Sequence, residues 1–161
     1  MGRWRMTTSI GDGSSEIEKQ LERLQSEELM TAVKKALYKG AGAAADGIKA
    51  AVASLPTEPF RLASPERPRD PSPEEKELLV GAVGIAKFNE SLDGADTLVG
   101  LSNAGYGTLG GKTVPIALIA RAINSGTSFR RKHPFARRGA RGAKEVLKAA
   151  LEDEINKLTK E

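Results

Sequence analysis

The side chains in this sequence best suited to chemistry sit in its last third. Arg130, Arg131, Lys132, Arg137, Arg138, Arg141 and Lys144 fall within one stretch that contains no acid, and Phe129 and Phe135 are interleaved with them. Guanidinium and ammonium groups neutralise phosphates, and aromatic rings stack on exposed bases. The same residue types also suit a protein contact, in which cations meet an acidic neighbour while a Phe anchors in an apolar pocket. From the residues alone the two readings stand level.

A second candidate is glycine-rich. Gly105-Tyr106-Gly107-Thr108-Leu109-Gly110 matches G-x-G-x-x-G, and Gly111-Lys112-Thr113 is like the end of a phosphate-binding loop. The spacing around both fails. A phosphate loop needs glycine where Tyr106 stands, and no acid lies between Asp96 and Glu145 to hold a magnesium ion. The dinucleotide version wants an acid about 20 residues on, where Arg130 and Arg131 occur instead. A flexible loop is therefore expected at 105–111. His133, ahead of Pro134, has no serine or acid at a motif spacing and no G-x-S-x-G beside it, so it reads as a turn histidine. The carboxylates recur three or four residues from Lys or Arg, as on a solvated helix face. Lacking cysteine and having one histidine, the chain has no disulfide, no thiolate nucleophile and no multi-histidine metal site. No catalytic, metal or cofactor-binding residue is expected, and the chain does not read as an enzyme.

The elements that must hold the basic stretch follow from apolar spacing. From Ser14 or Ser15 as N-cap, with Glu16 and Glu18 in the first turn, Ile17, Leu21, Leu24, Met30, Val33, Leu37, Ala44, Ile48, Val52 and Leu55 recur at helical steps. Gly40, Gly42 and Gly47 within that run point either to the close approach of another backbone or to a break between two helices. Six prolines between Pro56 and Pro73 predict an extended connector that packs on nothing of its own and is mobile in the free subunit. Pro65-Glu66-Arg67-Pro68 within it fits P-x-x-P but reads as linker. Strands are expected over 78–88 and 97–101, joined at Ser91-Leu92-Asp93-Gly94. Pro115 then opens a helix through Ile116, Ile119, Ala120 and Ile123, ending at Asn124-Ser125-Gly126. Ala143, Val146, Leu147, Ala150, Leu151, Ile155 and Leu158 stripe a terminal helix.

The net charge of +4 is unevenly placed, with 13 basic against 8 acidic residues from position 81 onward. Aromatic residues make up only 4%. No apolar run nears the roughly 20 residues of a membrane helix, and no signal-peptide core follows Met1, so a soluble protein beginning near its written N-terminus is expected. The length fits one domain, 14–161, preceded by a flexible segment 1–13.

The order of several short motifs is similar to that of the neck or tail-completion protein family of tailed bacteriophages. Ile119-Ala120-Arg121-Ala122-Ile123-Asn124 leads to Gly126-Thr127-Ser128, then a basic stretch, then His133-Pro134-Phe135 and a lysine-rich amphipathic helix. Upstream, a long helix precedes Val83-Gly84-Ile85-Ala86-Lys87 and Leu98-Val99-Gly100, which resemble the family's hairpin strands. The resemblance covers roughly residues 27–158. It departs from the family after Pro56, where Thr57-Glu58-Pro59-Phe60 replaces the usual Arg-Thr-Gly turn. What it implies is an α+β virion subunit without enzymatic activity. The subunit would close into a ring, usually of six copies, between neighbouring neck (stopper) and tail-terminator or tube proteins at the head-tail joint. It would be made in the host cytoplasm and touch the genome only as DNA passes. It further implies that Pro134-Phe135 opens the last helix. Heterologous ring contacts could pair the basic residues with the acids Glu16, Glu18, Glu22, Glu27 and Glu28. The alternative is a nucleic-acid-binding protein using residues 130–144.

Overall fold

The computed structural model describes residues 4–7, 26–91, 94–101 and 104–160. Its architecture is mixed α+β: a long N-terminal helix, small antiparallel sheets, a short helix and a bent C-terminal helix. Helix α1 (Ser26–Ala53) is its axis. The N-cap and acids expected at 14–22 lie outside the described residues. The helix runs unbroken through its glycines, and two of them have a packing reason. A Cβ on Gly47 would stand 2.0 Å from the carbonyl oxygen of Gly139, and one on Gly40 would stand 2.8 Å from the Leu147 Cβ. Glycine lets a second backbone lie directly against the helix, and that closeness offsets its cost of about 1 kcal/mol relative to Ala. At Gly42 a Cβ would meet nothing within 4 Å.

Ser72 caps helix α2 (Pro73–Ala82) through a capping box: its hydroxyl accepts from the Glu75 N–H while its own N–H donates to the Glu75 carboxylate. The strand expected over 78–88 is thus replaced in its first half by helix, because Ser72-Pro73-Glu74-Glu75 is a helix start that outweighs the β-branched residues downstream. What remains is β2 (Gly84–Ile85). Strand β4 (Gly94–Gly100) is central, with β2 and β3 (Asn89–Ser91) successively along one edge and β1 (Trp4–Thr7) along the other, all antiparallel. The pair Ser91↔Gly94 places the hairpin turn at 92–93, outside the described residues. Residues 4–7, expected in a flexible N-terminal segment, instead satisfy the free edge of β4 from Thr7↔Asp96 to Trp4↔Val99. Thr97, 1% exposed, donates its hydroxyl to the Ala86 carbonyl at 2.6 Å, so this buried polar group is paired.

The expected loop at 105–111 is also corrected. Tyr106–Leu109 (β5) and Lys112–Pro115 (β6) form a hairpin, turned by Gly110 and Gly111 at φ 54° and 76°. Two consecutive left-handed residues match the twist of antiparallel strands, which makes Gly-Gly a hairpin signal. Helix α3 (Ile116–Ser125) follows and ends at Gly126, φ 75°. Helices α4 (Phe135–Ala140) and α5 (Ala143–Thr159) are joined through Arg141 and Gly142, both of which keep right-handed helical backbone, so the pair is one bent terminal helix. Against α1, α4 and α5 close one side of the core, and β4 and α2 close the other. Val33, Leu37, Ile48, Val52, Leu79, Val99, Ile123 and Phe135 are fully covered. Val146, expected on the packed stripe of α5, is 43% exposed.

Candidate functional site

The residues expected to carry contacts divide into a buried charge knot and an exposed stripe. The knot begins at the end of the connector, where residues 69–72 are packed although the segment is expected to pack on nothing of its own. Arg69 N–H donates to the Phe129 carbonyl and Arg131 N–H to the Arg69 carbonyl, at 2.9 and 3.1 Å, so Arg69 pairs with the 127–131 loop as a strand would. Arg69, Asp70, Pro71 and Ser72 are all buried. Proline fixes φ and therefore reduces the entropy lost when the segment docks. Pro65-Glu66 forms the tip of a tight turn closed by two backbone bonds between Ser64 and Arg67.

At the centre lies Glu75, 4% exposed. Arg69 grips both its oxygens, at 3.0 and 2.8 Å, and Arg130 does the same at 3.0 and 2.5 Å. Burial alone would push the Glu75 carboxyl up; the Arg130 and Arg69 hydrogen bonds and the Ser72 N–H outweigh it and bring the pKa down to about 2. Asp70 anchors a second pair: its Oδ2 accepts from Arg131 at 2.9 Å, and its Oδ1 lies 2.8 Å from the His133 Nε2. Phe60 lies over the Arg69 guanidinium at 5.1 Å and remains 71% exposed.

Three expectations change accordingly. Arg130 and Arg131, expected to face a partner, pair with Glu75 and Asp70 of their own chain, although the Arg131 side chain stays half exposed. Glu75, Asp70 and Glu154 are buried rather than solvated. His133 is more than a turn residue, since it ties the knot to α3 by donating its N–H to the Ile123 carbonyl. The sequence held one signal for this arrangement, the S-x-x-E of Ser72 and Glu75. The partners Arg69 and Arg130, 61 positions apart, carried none.

Around the knot the motif residues shape the loop. Gly126 has left-handed backbone, and a Cβ there would press on Lys132 at 2.9 Å. The Thr127 hydroxyl accepts from the N–H groups of Phe129 and Arg130, at 3.2 and 3.1 Å. Ser128 is exposed. Pro134 precedes α4 without capping it; the Asn124 side chain does so from α3, its Oδ1 accepting from the Ala136 N–H at 3.2 Å. Phe135, which the resemblance placed at the entrance to the last helix, opens α4 and is 1% exposed in the core. It cannot anchor into a neighbour without leaving its own chain.

Lys132, Arg137, Arg138, Arg141 and Lys144 lie outside the knot and are exposed, and no carboxylate among the described residues pairs with them. Arg137, Arg141, Lys144 and, beyond the expected set, Lys148 recur at steps of four, three and four. They therefore line the face of the bent helix opposite Gly139, Ala143 and Leu147. With these positions defined, comparison with protein-family models, curated proteins and solved structures yields no match.

Proposed function

We propose that the chain is a structural ring subunit at the head-tail joint of a tailed bacteriophage, acting through contacts between copies and with adjacent neck and tail rings. The observation that carries this reading is the order of its elements. A long helix, a small antiparallel sheet, a helix ending at Gly126-Thr127, a short ordered loop and Pro134-Phe135 at the start of the last helix follow one another as the resemblance implies. The chemistry is compatible: polar groups that a catalyst would expose are spent inside the knot, and the shape is fixed by buried ion pairs and close backbone packing. Mass-resolved sizing of the purified protein, alone and with isolated phage heads or tails, tests it. A ring of defined stoichiometry that forms alone or on one of these templates is expected; failure to bind either particle would overturn the phage reading.

The exposed stripe supports a second reading, in which Arg137, Arg141 and Lys144 track nucleic-acid phosphates. A site neutralising about six phosphates would lose on the order of a thousandfold in affinity between 50 and 200 mM salt. Tight, steeply salt-dependent duplex binding that is abolished by Arg137→Glu and Arg141→Glu, with ring formation intact, would favour this reading.

A further inference from the structure

We propose that the Phe129 loop of one copy docks into the groove between α2 and the β5–β6 hairpin of a second copy. The inference rests on the ring reading above and supplies its contact.

The groove, about 580 Å³, has apolar side chains from Leu78, Ala82 and Ile116 and two carboxylates, Glu74 and Glu77, with no basic residue lining it. It calls for an apolar anchor accompanied by positive charge. Several large apolar side chains are exposed, and among the aromatic ones in the described residues Phe129 combines three properties the groove requires. Its ring is 51% exposed. It is followed by Arg131, whose side chain remains 53% exposed while paired to Asp70, and by the unpaired Lys132. It stands on a loop already held in place, by the Thr127 hydroxyl from within and by Arg69 and Glu75 from below. A loop ordered beforehand loses little entropy on docking. Tyr38, by contrast, already packs against Phe88, and Phe60 covers Arg69.

In its own chain the loop does not fill this groove, since none of residues 127–131 lines it. It is fastened to α2 through Glu75, whereas the groove residues Glu74, Glu77, Leu78, Gly81 and Ala82 centre about 90° around the helix from it. Loop and groove thus lie on different, adjacent faces of α2, and the groove is left for a second copy. A contact between two different patches is heterologous, so each docked copy presents a groove or a loop to the next and the contact propagates until it closes.

The chain contains no cysteine, so introduced thiols have no native competitor. Ser128→Cys places one beside Phe129, and Gly81→Cys or Thr108→Cys places one on either wall of the groove. Ser128 and Thr108 are exposed, and a Cβ on Gly81 meets nothing within 4 Å, so all three variants keep the fold. Mixed under mild oxidation, loop and groove variants should form disulfide heterodimers in preference to homodimers. A chain carrying both thiols should give a ladder or closed ring, read by mass. Lys132→Glu should lower the yield about fivefold, with partial recovery against Glu77→Lys, and Phe129→Ala should lower it further. Homodimers at random yield would overturn the proposal, as would cross-linking indifferent to Phe129→Ala. So would loss of duplex DNA retention in Lys132→Glu with cross-linking unchanged, because the loop would then serve nucleic acid. No phage particle takes part, so heterodimers alongside failed binding to heads and tails would remove the phage reading and leave the contact standing.

Discussion

Glu75 is where the chain concentrates its electrostatic risk, since two guanidinium groups depend on one carboxylate inside the protein. Replacing it with Gln leaves Arg69, buried, and Arg130, half-buried, without a counter-charge. Breaking a buried pair in this way costs about 3–5 kcal/mol, and Glu75→Gln should lose that much in urea unfolding. The pH dependence follows from the same group. Its pKa falls from 4.5 to about 2 on folding, so the stabilisation is complete above the unfolded value and drains away as pH drops from about 4.5 to 2. The amount is about 3 kcal/mol. Acid unfolding of the parent should steepen across that window, and Glu75→Gln should flatten it. Phe135→Ala, emptying a fully buried site, should cost about 3–5 kcal/mol in the same assay. Little of this was legible beforehand. Arg130 and Arg131 read as a surface patch because charge counting along the sequence cannot see partners at positions 70 and 75. Ser72 and Glu75 did announce a capping box, but the surrounding prolines masked it as linker.

Between elements, the glycines of α1 set up an internal contrast. Gly47→Ala drives a methyl into the Gly139 carbonyl at 2.0 Å, and α4 must move away. Overpacking of this kind costs about 1–3 kcal/mol. Gly42→Ala, in the same helix with open space around it, should stabilise by about 0.5–1 kcal/mol by restricting the unfolded chain. Paired melting curves on the two variants check both signs; equal shifts would mean that the contact of α1 with α4 is looser than described. The elements themselves were readable wherever periodicity was long: α1 beyond residue 26, α3, and α5 through Leu147, Ala150 and Ile155. Short elements were not. The second half of α2 reads as strand because Leu79-Val80 and Val83 suit either state over so few residues. The β5–β6 hairpin was hidden because a phosphate-loop motif and a Gly-Gly turn are written with the same residues.

At the scale of the whole molecule, the connector binds distant parts together instead of keeping them apart. Glutamyl endopeptidase should cut the native protein after Glu66, exposed at the tip of the turn, while trypsin should spare Arg69, which is paired to the 127–131 loop. Cleavage after Arg69 as fast as after Arg61 would show that the segment does not stay docked. The pairing of β1 with β4 acts over a longer span still, joining residues about ninety positions apart. During synthesis at roughly 5–20 residues per second, the first strand leaves the ribosome about 5–20 seconds before its partner exists. Throughout that interval it is an unmatched ribbon, and once β4 appears, the β1 of any nearby nascent copy fits its vacant edge as well as the correct one does. Dense translation of this message therefore invites strand exchange between copies, and how closely ribosomes are spaced becomes part of what decides whether each subunit closes on itself.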